Sequence, residues 1–299
     1  MTAMGLVVAA VFAAAGGAAV EPHFSAPVVS SVGSTKWEAR EMLAADLNGA
    51  GKPDLVMGSP GSSRLFIAIG KGDGSFHRPV AYRFDSPERL PYDVAVGDLN
   101  GDGWPDLTVV GANWTRTVII VLINDGGGRF HRDRVYASPA IDGANLIAAG
   151  DVDGNGIVDV VVAGRPYGEV LFGDLAVLLG TGSGQLAAPR TVAGLGPWSD
   201  LAVGDFNADG RLDAALAAHS DHAVRVRLAT GDGTFGSARR LGAFEGAAEA
   251  VTSADLNHDG ILDLAVADDT GRVGLLLGNG DGTFAAQREY AMRSRGDAS

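Results

Sequence analysis

The sequence predicts an all-β fold, a β-propeller of about five four-stranded antiparallel blades, and three observations carry that prediction. A nine-residue loop with aspartate or asparagine at positions 1 and 3, and at 5 in all copies but the first, glycine at 6 and aspartate at 9 recurs, its first aspartates falling at 46, 98, 151, 205 and 255. The steps of 52, 53, 54 and 50 residues set a period near fifty, which marks propeller blades or solenoid units. Each period also holds four short runs of apolar residues cut by Gly/Asp turns, with no helical periodicity between them. An arc of a seven-bladed propeller is the alternative that the same counts allow.

Taken in order, residues 1–20 are apolar and small, and Gly17-Ala18-Ala19 follows the run, so this segment reads as signal-peptide-like although it lacks a basic start. It is short and alanine-rich for a span, so no transmembrane segment is expected in the mature form. The propeller is expected over 21–292 and a flexible tail over 293–299; Arg295-Gly296-Asp297 in that polar tail is read as coincidence. Phe24-Ser25-Ala26-Pro27-Val28-Val29 repeats the strand that leaves each later turn, and such a strand is expected to help close the ring.

Within each repeat a first strand runs into the loop, as Val94-Ala95-Val96-Gly97 does, and a second leaves it, as Leu107-Thr108-Val109-Val110 does. A third, such as Val118 to Ile123, stops at a glycine turn of the type Gly280-Asp281-Gly282-Thr283-Phe284. A fourth, more polar strand leaves that turn, as Phe130 to Tyr136 does.

The loop spacing lets carboxylates, an amide and one backbone carbonyl wrap a hard cation, so Ca²⁺ is the expected cofactor, at about four to five ions. The candidate ligands are Asp98, Asn100, Asp102 and Asp106; Asp151, Asp153, Asn155 and Asp159; Asp205, Asn207, Asp209 and Asp213; and Asp255, Asn257, Asp259 and Asp263. The first loop offers only Asp46, Asn48 and Asp54, because Ala50 stands where a fifth-position oxygen is needed, and its site is expected to be weakest.

With these loops and the five Gly-Asp-Gly-Thr-Phe-like turns in phase, the chain resembles the FG-GAP/VCBS family of calcium-binding propeller repeats over roughly Phe24 to Met292. That family builds the head of integrin α chains and occurs in many bacterial secreted proteins. The Phe-Gly pair is missing before the loops, while Gly58-Ser59-Pro60, Gly111-Ala112-Asn113 and Gly164-Arg165-Pro166 resemble remnants of its Gly-Ala-Pro part.

Composition agrees. The net charge is −13, yet the five loops hold fourteen of the 36 acidic residues, so the acidity is mainly a metal-site signature. No basic cluster offers a surface for nucleic acid. There is no cysteine, so bound metal is the available staple. Calcium sites of this kind make most sense outside the cytoplasm, and the expected location is secreted or cell surface.

Strand order puts metal loops and strand 3–4 turns on one face, and strand 2–3 loops and blade linkers on the other. Trp37, Tyr92, Trp114, Tyr167 and Trp198 fall in the latter and form the candidate contact set for a glycan or protein ligand. Equally open is the reading that these rings plug the seams between blades. His77 and His131, after the turn phenylalanines, read as strand-surface residues. His219 and His222 form a dense pair with no third ligand in view, and Asp268-Asp269 with Glu245 and Glu249 are the carboxylates left outside the loops. No catalytic constellation stands out, so the expected function is a binding or adhesion module, with a polysaccharide lyase or hydrolase on the same wheel as the alternative.

Overall fold

The computed structural model describes residues 41–59, 63–84, 90–112, 117–138, 144–164, 175–192, 196 and 198–291. They form five four-stranded antiparallel sheets with strands in simple sequence order. Blade 1 comprises β1 (Glu41–Ala45), β2 (Asp54–Ser59), β3 (Arg64–Ala68) and β4 (Val80–Arg83). Blade 2 comprises β5 (Leu90–Gly97), β6 (Asp106–Ala112), β7 (Thr117–Asn124) and β8 (Phe130–Ser138). Blade 3 follows with β9 (Ala144–Gly150), β10 (Asp159–Gly164), β11 (Leu175–Leu178) and β12 (Arg190–Val192). Blade 4 has β13 (Trp198–Gly204), β14 (Asp213–Ala218), β15 (Ala223–Arg227) and β16 (Arg239–Leu241), and blade 5 has β17 (Ala248–Ala254), β18 (Asp263–Asp268), β19 (Arg272–Leu276) and β20 (Arg288–Ala291). The expected outer strand at Phe24 to Val29 lies outside the described residues.

These segments are strands because their apolar residues bury both faces. β10 and β14 are buried along their whole length, packed by neighbours on either side. The first strand of each blade packs against the first strand of the next, so the first strands are innermost and the polar fourth strands outermost. Among the described residues, four apolar clusters fill the four seams, and a further one of Met57, Phe66 and Ala68 is buried on the outer face of blade 1. Between blades 1 and 2, for instance, Val56, Leu65 and Ile67 meet Val94, Leu107 and Val109. Burial of this apolar surface, at roughly 25 cal/mol per Å², is the main favourable term in holding the array together.

Polar contacts repeat along the seams. The carbonyl at loop position 2 accepts a hydrogen bond from the strand 3–4 turn of the next blade: Asn124 Nδ2 to Leu47 at 2.8 Å, Gly184 N to Leu99 at 2.9 Å, and Gly282 N to Phe206 at 2.9 Å. Six residues after the turn phenylalanine, the Tyr82 hydroxyl accepts Phe130 N–H at 3.2 Å, and the Tyr136 hydroxyl accepts Leu186 N–H at 2.9 Å.

The expected ring closure is not found. Among the described residues, blades 1 and 5 do not pack on each other as consecutive blades do, and the array is open.

Candidate metal centre

The five loops share one backbone path. Position 6 is a glycine with φ between 69° and 86° in every copy, a region that side chains with a Cβ enter at a cost. Position 4 is also left-handed, and there Ala208 (φ 57°) and His258 (φ 62°) take the conformation that glycine takes in the other three. This path turns backbone N–H groups onto the position 1 carboxylate. In loop 3, Asp151 Oδ1 accepts Gly154 N–H at 2.7 Å and Asn155 N–H at 3.1 Å, and Oδ2 accepts Gly156 N–H at 2.7 Å. Asp46 does the same with Ala50 and Gly51 at 3.1 and 2.6 Å, so loop 1 keeps the scaffold while lacking the fifth-position oxygen.

Position 9 has a second task. Asp54, Asp106, Asp159, Asp213 and Asp263 are all fully buried. In each, Oδ2 accepts the N–H of loop position 2 and Oδ1 accepts the N–H at the start of the same blade's strand 3–4 turn. For Asp106 these are Leu99 and Asn124, both at 2.9 Å; for Asp263 they are Leu256 at 2.9 Å and Gly278 at 2.8 Å. This carboxylate ties the metal loop to the glycine turn of its own blade.

Loop 3 gathers its carboxylates most closely: ligand oxygens of Asp151, Asp153 and Asp159 lie within 4.8 Å of one another. In loops 2, 4 and 5 the position 3 asparagine donates Nδ2 to the position 5 aspartate, at 2.9, 2.8 and 2.8 Å, which draws that carboxylate toward the loop rim. Loop 3 has the two residue types exchanged and lacks this bond. Burial, with a smaller push from neighbouring carboxylates and against the pull of the backbone donors, raises Asp106 and Asp159, and it raises Asp213 to about 6. Hard oxygens under mutual repulsion suit a divalent cation, and the donor set of loop 3 fits one.

Of the five aromatic candidates for the opposite face, Tyr92 and Trp198 fall among the described residues. Trp198 is fully buried in the seam between blades 3 and 4, among Leu146, Val161 and Leu216. It begins β13 next to an irregular pairing and turns inward, so its ring fills space between sheets. Tyr92 is half-buried against the cluster between blades 2 and 3. Trp37, Trp114 and Tyr167 lie outside the described residues.

The remaining candidates are engaged locally. His219 opens a 3-10 turn, His219–Asp221, and its Nδ1 lies 2.6 Å from Glu249 Oε1 across the seam to blade 5, while His222 Nδ1 is 3.3 Å from the Glu245 carbonyl. Glu245 pairs with Arg272, which also contacts Glu289 at 3.0 Å. Asp268 accepts N–H groups of Gly246, Thr270 and Arg272, and Asp269 accepts that of Ala247. His131 lies 2.9 Å from Asp125 on the surface.

Two residues that sequence reasoning missed are Asp93 and Asp200. Each follows a bulge in the first strand of its blade and accepts its own next N–H together with one from the next blade: Ile147 N–H at 2.8 Å for Asp93, and Val251 N–H at 2.9 Å for Asp200. Burial raises the Asp200 carboxyl to about 6. The available signal was a lone acid inside an apolar inner strand.

Two stretches, 46–109 and 209–266, match the model of the FG-GAP-like repeat. Human integrin alpha-7 is 29% identical over 195 residues, 58% of this chain and 16% of that protein, and Drosophila melanogaster integrin alpha-PS3 is 29% identical over 153 residues, 44% of this chain and 14% of that one. The chain thus spans less than a fifth of the length of these relatives. Among solved structures, an Agrocybe aegerita lectin, described as recognising non-reducing terminal N-acetylglucosamine, superposes with a TM-score of 0.56 at 24% identity, over 84% of this chain and 66% of the lectin, a likeness of fold. The repeat period, the loop scaffold and the blades agree with that match, and the chain carries FG-GAP-like repeats over 46–109 and 209–266.

Proposed function

We propose that this chain is a calcium-binding propeller module, secreted or held at a cell surface, that binds a glycan or protein ligand through loops on the face away from the metal. The observation that carries the reading is the convergence of Asp151, Asp153 and Asp159 on a loop scaffold built five times over. Integrin α chains among the relatives support a protein ligand, and the lectin among the structural neighbours supports a glycan. Calcium acts as structural cement: it neutralises carboxylates that repel one another and ties first strand to second, so its binding energy becomes folding energy. Trp37, Trp114 and Tyr167 are the contact candidates; Trp198, as a seam residue, is not among them.

Chelator-stripped protein titrated with Ca²⁺ should take up about four ions and melt at a higher temperature once loaded. A flat titration together with an unmoved melt rejects the calcium reading. A glycan array and a cell-surface protein panel, probed with wild type and with Trp114→Ala, should show binding that the variant loses while keeping its calcium-dependent melt. Equal binding by both proteins rejects the assignment of that face, and release of degraded polysaccharide by the wild type points to an enzyme instead.

A further inference from the structure

Position 7 of the metal loop is basic in two copies and uncharged in three. Loops 2, 3 and 5 hold Trp104, Ile157 and Ile261 there, which have no cationic group to offer. Loop 1 holds Lys52, whose Nζ turns to the glycine turn of its own blade and donates to the Lys71 carbonyl at 3.0 Å. Loop 4 holds Arg211, and here the side chain returns to the loop: Nη2 of the guanidinium donates to Asp209 Oδ2 and forms an ion pair with it at position 5. The same carboxylate accepts Asn207 Nδ2 at 2.8 Å and Arg211 N–H at 3.0 Å. Asp102 and Asp259, its counterparts in loops 2 and 5, make the asparagine and backbone bonds with only an uncharged residue at position 7.

Packing holds Arg211 in that place. Its stem lies against loop 3 of the preceding blade, where a Cβ on Gly154 would meet Cγ at 3.2 Å, and its head lies beside the glycine turn of its own blade, where a Cβ on Gly231 would meet Nη1 at 3.6 Å. The next residue, Leu212, donates its N–H to the Asp151 carbonyl at 2.8 Å and so fixes the backbone from which the side chain leaves. Arg211 Nε is buried with no hydrogen-bond partner, so contact with the two glycines and attraction to Asp209 set the guanidinium there. The two side chains are 30% and 24% exposed, and a pair so shielded is weakened less by water and salt than one on open surface.

We infer that Arg211 is a built-in counter-cation of loop 4. It occupies the position 5 carboxylate, steadies the empty loop against the mutual repulsion of Asp205, Asp209 and Asp213, and makes this the weakest of the four complete calcium sites. The inference rests on the calcium reading of the loops and names how one of them is tuned. A divalent cation in loop 4 takes the same carboxylate, so the guanidinium must give up its bond to Asp209 and stay as a positive charge close to the ion. Loops 2, 3 and 5 meet no such competitor at position 7. One arginine therefore trades calcium affinity for stability of the metal-free blade.

Titration calorimetry of the chelator-stripped full chain with Ca²⁺ tests it, together with melts in chelator and in saturating calcium. One wild-type binding event, identified by its loss in Asp205→Ala, should be weaker than those of the other complete loops. Arg211→Met keeps the stem, removes the charge and should tighten that event by about tenfold. The same variant should melt below wild type in chelator and level with it in saturating calcium, a difference that lost packing alone does not produce. Ile261→Arg sets the charge at position 7 of loop 5 and should weaken a second event while the loop 4 event stays unmoved. Arg211→Met with affinities equal to or below wild type, or with melts lowered equally with and without calcium, overturns the inference and leaves the calcium reading intact. Wild type that takes up no calcium rejects that reading and this inference together.

Discussion

Replacing Asp106 by alanine separates the two tasks of the ninth loop position. The fully buried carboxylate accepts Leu99 N–H and Asn124 N–H, both at 2.9 Å. Removing it strands two buried donors at about 1–3 kcal/mol each, offset in part by loss of a buried charge, for a net cost of about 3 kcal/mol. In a chain of this size that corresponds to a fall of roughly 6–12 °C in melting temperature. The control is Asp102→Ala at position 5, whose carboxylate lies on the exposed loop rim and bonds Trp104 N–H and the Asn100 amide. In excess chelator, Asp106→Ala should show the full loss and Asp102→Ala less than about 0.5 kcal/mol. With calcium restored, both should lose part of the metal-dependent gain. Should the two variants melt together in chelator, position 9 is a metal ligand alone and the structural weld between loop and turn is wrong.

Ala50→Asp supplies the missing oxygen in loop 1 and should raise the calcium stoichiometry by one ion in titration calorimetry; five equivalent sites in the wild type would refute the ranking. Ala208→Gly relieves a left-handed alanine at φ 57° and should stabilise by about 0.5 kcal/mol net of the greater freedom of unfolded glycine, read as a higher urea midpoint. A clear loss of stability there would show that the methyl group is doing packing work. Asp200 holds its proton more tightly folded (about 6) than unfolded (3.8), so its contribution is present in full below about pH 4 and is lost as pH rises through 6. The stability gap between wild type and Asp200→Asn should therefore shrink from pH 4 to 7 in matched calcium-free melts, and a constant gap rejects the buried charge. Trp198→Ala deletes a fully buried ring and should cost about 3–5 kcal/mol; a variant with wild-type melting would return Trp198 to the surface.

The repeat, the four strands of each blade and the loop scaffold were legible in the sequence because they depend on contacts within a few residues. Position 1 reaches N–H groups three to five residues on, and glycine at position 6 answers a local backbone demand. Tertiary structure decided what depends on residues brought from elsewhere in the chain. The buried role of Asp106 needs Asn124, eighteen residues away on another strand, and the role of Asp200 needs Val251 in the next blade. Trp198 reads as a linker aromatic in sequence, and only the neighbouring sheet turns it into a seam residue. His219 meets Glu249 across a seam that no local pattern announces. Whether the blades close a ring was likewise beyond the repeat pattern. Spacing along the chain sets the contacts inside a blade and between neighbours, whereas closure depends on how all the seams add up across the whole array.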